Sequence, residues 1–169
     1  MKTQLCNFCL KSGILCSKCQ AKVKSGKISD TYLEIARLLL SLQKQYPPLQ
    51  SVFFHEAVEA DGVLALVVNQ GDVARLLAYG GKIIRAIREK TGKKIRILER
   101  GVDDRKFLED LFAPLTVITT NTIWLPDGTT ETRVILRKRW RRPAPINVEA
   151  MKQIAMKIRK IVLRVEFSG

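Results

Sequence analysis

The sequence predicts an α+β protein assembled from small modules, and three observations carry that prediction. All four cysteines, Cys6, Cys9, Cys16 and Cys19, lie close to the start of the chain as C-x2-C-x6-C-x2-C. From residue 30 onward, helix-period and strand-period stretches follow one another as α-β-β-α-α-β and then α-β-β-α-β. The 169 residues are 46% hydrophobic, enough to bury a core in one ordinary domain or in two to three small ones. The expected division is 1–28, a four-cysteine knuckle; 29–101, a first α+β module; and 102–169, a second, trimmed one.

The cysteine spacing points to a metal. Each C-x2-C pair wraps a short turn that aims two thiolates at one point, and two such turns make the tetrahedral sulfur site that zinc prefers. Gly13 supplies the reversal between the pairs. The closely spaced cysteine run of iron–sulfur ferredoxins is absent. Two disulfides in a secreted peptide are the alternative, disfavoured because cysteines and lysines stand where a signal peptide would carry its apolar core. No histidine or acid joins the four sulfurs, so the expectation is one closed, structural Zn2+ that does no chemistry. Six lysines in residues 1–27 make the knuckle basic.

The remaining elements follow in order. Residues 22–29 read as a polar linker. Thr31-x-x-Glu34 has the form of a capping box, and Ile35, Leu38, Leu39, Leu42 and Tyr46 recur at helical spacing until Pro47-Pro48. SVFFHEAVEADGVLALVVN reads as two strands about an Asp61-Gly62 turn. GDVARLLA and KIIRAIREKTG are helices, and KKIRILE is a strand. In the second module VDDRKFLEDLF is a helix headed by Asp103-Asp104. LTVITTNTIWL and TETRVILRKRW are strands around Pro126-Asp127-Gly128, INVEAMKQIAMKI is a helix and IVLRVEF a final strand. Alternation ends at Leu136, so Arg137 onward is expected to leave the sheet as a basic arm. His55 and Trp124 are read as structural, the latter as core or turn packing.

The stretch NQGDVARLLAYGGKIIRAIREKTGKKIRIL, residues 69–98, resembles the type II KH region of archaeal NusA-like transcription factors. The resemblance covers residues 30 to about 100 and extends more loosely over 101–167 as a degenerate second KH module. The knuckle resembles the zinc-ribbon version of the same proteins. In KH domains a GxxG loop clamps the backbone of several nucleotides. The corresponding loop here is Ala78-Tyr79-Gly80-Gly81, with alanine where the family has its first glycine. That change either weakens the loop or leaves Tyr79 to contribute base stacking. The resemblance implies RNA contacts at Ala78, Tyr79, Gly80, Gly81 and Lys82, and Arg85 and Arg88 would extend them. Residues 75–100 hold nine basic side chains against two acids.

Charge points the same way. Thirty Lys and Arg against 16 Asp and Glu give a net charge of +14, which favours a polyanionic partner. The densest run is Arg137, Lys138, Arg139, Trp140, Arg141 and Arg142, where guanidinium suits phosphate and indole suits a base face. The expected function is RNA binding in transcription elongation or termination. Nascent transcript would run over Lys82, Arg85 and Arg88 towards Arg137–Arg142, near RNA polymerase. The alternative is a ribosome-associated protein holding ribosomal RNA on a ribosomal subunit. No hydrolase triad, open metal site, phosphate-binding loop or dinucleotide fingerprint is present, so no enzyme is expected. No apolar run approaches the roughly 20 residues that span a bilayer, and a cytoplasmic location is expected.

Overall fold

The computed structural model describes residues 1–138 and 146–168. The chain is mixed α+β with two small sheets, and it divides into two compact units. One comprises Met1–Glu59 with Leu64–Gly101; the other comprises Ala60–Val63 with Val102 onward.

In the first unit the elements are β1 (Lys2–Thr3), α1 (Asn7–Ser12), α2 (Ser17–Lys24), α3 (Asp30–Leu42), β2 (Phe53–Ala60), β3 (Val63–Val68), α4 (Asp72–Leu76), α5 (Lys82–Thr91) and β4 (Lys94–Glu99). The sheet runs β1-β2-β3-β4, with β1 parallel to β2 and Lys2 opposite Phe53. Asp61 and Gly62 join β2 to β3 with φ of 47° and 79°, the paired positive φ that a two-residue hairpin needs to match strand twist. All six residues of β3 are buried, which is why its sequence VLALVV lacks polar alternation. Leu39, Phe54, Leu64, Leu66, Leu76, Ile83 and Ile87 form the core, each worth about 1.5–3 kcal/mol of burial. Met1, Leu5, Cys9, Leu10 and Cys19 belong to that same core, so the cysteine segment and the sheet share one apolar interior.

Tyr32 fastens this arrangement. Its ring stacks on Phe54 with centroids 4.4 Å apart. Its hydroxyl accepts from the Gln4 backbone N–H at 2.8 Å and donates to the Phe54 carbonyl at 2.6 Å. Burial pushes the phenol up to about 12.

In the second unit α6 (Asp104–Phe112), β5 (Val117–Trp124), β6 (Thr130–Arg137), α7 (Val148–Arg159) and β7 (Leu163–Ser168) give the order α-β-β-α-β. The sheet runs β5-β6-β7, antiparallel then parallel. Phe107, Leu108, Leu111 and Phe112 of α6 are buried, as are Ala150, Met151, Ile154 and Ala155 of α7 and Val134 and Leu136 of β6. Arg133 donates to Glu166 through Nε and Nη2 at 2.9 and 2.7 Å, and this pairing holds the Glu166 carboxyl below its ordinary value.

Several expectations are corrected. Residues 22–24 are the last turn of α2, not linker. The cap of α3 is Ser29, whose hydroxyl accepts from Tyr32 N–H at 3.1 Å. Ser29 has the extended backbone a cap requires (φ −83°, ψ 161°), while Thr31 is already helical. The helix stops at Leu42, before the prolines, which open a 3-10 turn at Pro47–Ser51. Tyr46 precedes Pro47 and is held out of the helical region (φ −125°, ψ 84°). Trp124 is not packed away; it is 76% exposed. Arg137 does not leave the sheet. It pairs with Ser168 of β7, and the Lys138 N–H donates to the Ser168 carbonyl at 3.0 Å. The parallel neighbour extends β6 past the point where alternation fades. Among the described residues no helix is long and apolar enough to cross a membrane.

Candidate metal centre and nucleic-acid interface

The four cysteines converge. Cys6 and Cys16 are the residues before α1 and α2, and Cys9 and Cys19 lie in the first turns of those helices. Each pair therefore occupies equivalent places, which brings two sulfurs to the start of each helix. The four Sγ atoms lie within 4.8 Å of one another. None is in a disulfide; Cys9 and Cys19 are buried, Cys6 and Cys16 exposed. The Cys16 N–H donates to Cys9 Sγ at 3.1 Å, an extra bond that would stabilise sulfur as thiolate. Gly13 closes α1 with φ of 77°.

The thiols perturb one another in opposite directions. Cys16 is drawn down to about 6, first by the Cys19 backbone N–H turned towards it and then by the neighbouring thiols. Cys9 is pushed up to about 12, chiefly by the hydrogen bond it shares with Cys6. Sulfurs this close cannot all be thiolates unless a cation sits among them. The donor set is thus one that could bind a metal ion.

The basic surface begins at the glycine pair. Tyr79, Gly80 and Gly81 take positive φ in succession (57°, 64° and 80°). A Cβ added at either glycine would meet nothing within 4 Å. Packing therefore does not demand glycine here; the left-handed backbone does, and the space above it is open. Tyr79 takes the same conformation with a side chain, at a cost of about 1–2 kcal/mol. Its ring is 49% exposed and leans on Tyr46 with centroids 5.4 Å apart.

Gly81 starts α5, and no side chain caps that helix. Ile83 and Ile87 face the core, while Lys82, Arg85 and Arg88 are exposed on the other side. Ala78 is half-buried and Gly80 exposed. Asp72 anchors the approach to this turn: it accepts the Phe53 N–H at 2.9 Å and Arg75 Nη1 at 2.5 Å.

Arg137 and Lys138 are exposed and belong to the second unit. Arg139, Trp140, Arg141 and Arg142 lie outside the described residues. His55 is held on both ring nitrogens. Arg100 Nη1 donates to Nδ1 at 2.9 Å, Nε2 meets Asn69 Oδ1, and the ring stacks on Phe53 at 4.2 Å.

Two side chains of the knuckle that neither the cysteine spacing nor the charge pattern singles out, Phe8 and Ile14, are 75% and 76% exposed. Their signal was available: both are large apolar residues in a segment too short to bury every such side chain.

No family model matches this chain. Over 70 residues, 41% of the chain, it is 34% identical to a protein of Methanocaldococcus jannaschii described as a probable transcription termination protein NusA. A protein of the same description from Methanococcus vannielii is 30% identical over 60 residues, 36% of the chain. The matched stretches span 37% and 35% of those relatives. The crystal structure of APE1850 superposes with a TM-score of 0.53, covering 79% of this chain and 96% of that one at 17% identity. At that identity the likeness is one of fold.

Proposed function

We propose that this chain is an RNA-binding protein of the NusA-like kind, acting in transcription elongation or termination, with KH-like modules at 29–101 and 102–169. The observation that carries the RNA reading is the open left-handed turn at Tyr79–Gly81 leading directly into a helix with three outward cations. An RNA phosphate can approach the bare backbone there and meet the positive end of α5. Lys82 then neutralises it, and Arg85 and Arg88 take the next phosphates. The partial identity to two probable termination proteins supports the link to transcription, and the net charge of +14 suits a nucleic-acid partner.

The metal is zinc in this reading. Four Zn–S bonds of about 2.3 Å in a tetrahedron place the sulfurs about 3.8 Å apart, close to the observed clustering. Zinc would hold α1 and α2 in place, its four ligand positions all filled by Cys6, Cys9, Cys16 and Cys19. The role is binding, not catalysis, in the cytoplasm, with RNA polymerase as the protein partner. Copurification with polymerase in preference to ribosomal subunits is the expected result in cell extracts.

Binding to single-stranded RNA should be largely electrostatic. Three phosphate contacts give a log–log salt slope of about −2, so affinity falls roughly 20-fold between about 50 and 200 mM salt. Lys82→Glu should weaken binding and flatten the slope. An isotherm that does not move with salt rejects the proposal.

A further inference from the structure

We propose that the cysteine knuckle carries a second RNA-contact surface, formed by Phe8 and Ile14, that receives an unpaired nucleobase. This rests on the RNA-binding reading above and adds a site within it.

Phe8 lies between two sulfur-bearing residues. Cys9 and Leu10 are turned into the core, while Phe8, one position earlier on α1, is turned outward and is 75% exposed. Ile14 follows Gly13 and is 76% exposed. With Trp124 they are the most exposed large apolar side chains among the described residues. Single exposed apolar residues are ordinary on any protein, but these two share a backbone fixed around one point. Phe8 adjoins Cys9, and Ile14 stands two residues before Cys16, whose N–H donates to Cys9 Sγ. A two-way hydrogen-bonded turn with Ser12 Oγ also holds the Ile14 backbone. Side chains carried on so constrained a segment lose little freedom when a ligand covers them.

The surroundings select the ligand. Residues 1–27 contain six lysines and no acid, so the segment stays cationic even after zinc and four thiolates contribute a charge of −2. Lys11 and Lys18 are exposed. Lys18 occupies in Cys16-Ser17-Lys18-Cys19 the place that Phe8 occupies in Cys6-Asn7-Phe8-Cys9. One half of the knuckle thus offers an aromatic face and the other a cation. An unpaired nucleotide answers both, with a flat π-face for Phe8 and a phosphate for lysine. An acidic peptide without apolar side chains would answer the lysines and leave the phenyl ring in water.

The test uses the full chain loaded with metal and an unstructured RNA oligonucleotide at fixed salt. Phe8→Ala should bind roughly fivefold or more weakly, the effect of losing one base–aromatic stack. Its salt slope should match that of the wild type, because no charge is lost. Phe8→Trp should retain affinity, and duplex RNA, whose bases are already stacked, should not distinguish the variants. Equal affinity of wild type and Phe8→Ala for the single strand overturns this site while leaving the RNA-binding reading intact. A wild-type chain that binds no RNA overturns the reading itself. Photocrosslinking of iodouridine RNA to the wild-type protein gives an arm independent of variant folding. A crosslink at Phe8 supports the site, and crosslinks confined to the second unit or to α5 overturn it.

Discussion

The helices of the knuckle begin differently from α3, α6 and α7. Ser29, Asp103 and Asn147 each offer a side-chain oxygen to the N–H three residues on, at 3.1, 2.8 and 3.1 Å, and so start α3, α6 and α7. The corresponding residues of α1 and α2 are Cys6 and Cys16, which make no capping hydrogen bond of ordinary length. Those helices have six and eight residues, too short to hold themselves in water. Where α3, α6 and α7 start at oxygen caps, α1 and α2 start at sulfurs gathered at one point.

That contrast is sharpened first by chelating the metal ion that the four sulfurs could bind. Chelation should release α1 and α2, seen as lost amide protection over residues 6–24. It should also loosen the core they share with the sheet, because Leu5, Cys9, Leu10 and Cys19 pack there. A fall in Tm of roughly 10 °C or more is expected, the shift that ~2 kcal/mol produces in a domain of this size. Unchanged protection and Tm after chelation would mean that the knuckle stands by packing alone. Next in size is Ser29→Ala, which removes an oxygen cap and should cost about 1 kcal/mol in denaturant titration. The smallest effect belongs to Thr31→Ala. Thr31 lies inside the helix and caps nothing, so its loss should stay within about 0.5 kcal/mol. A larger cost for Thr31 than for Ser29 would reverse the assignment.

The order of elements was legible because the 3.6-residue period is strong in α3 and α5, and because β2 and β3 are short apolar runs set apart by the Asp61-Gly62 turn signal. What misled was context. Ser29 and Thr31 are both capping residue types, and only the backbone angles decide between them. The helical spacing from Leu42 to Tyr46 continues a stripe that Pro47 prevents the backbone from following. At Arg137 alternation ended while pairing continued, since β7 supplies a hydrogen-bonding neighbour at Ser168, far downstream, that no local pattern announces. Trp124 shows the limit of composition: it is large and apolar, yet at the end of a hairpin strand it stays exposed. For the site, the cysteine spacing was enough to foresee four sulfurs at one point. The left-handed run at Tyr79 was not foreseeable, because tyrosine gives no hint of positive φ.

Tyr32 carries a consequence at the alkaline end. Its phenol is neutral in the folded chain and, with burial as the main cause, ionises only at about 12, against about 10 in an unfolded one. A raised value means that its contribution is complete below about pH 10 and drains away as the solution approaches pH 12. Phenolate formation there would strand a charge beside the Phe54 carbonyl and end the donation that ties α3 to β2. The ultraviolet absorbance of the Tyr32 phenolate should accordingly appear only near that pH, together with loss of the fold.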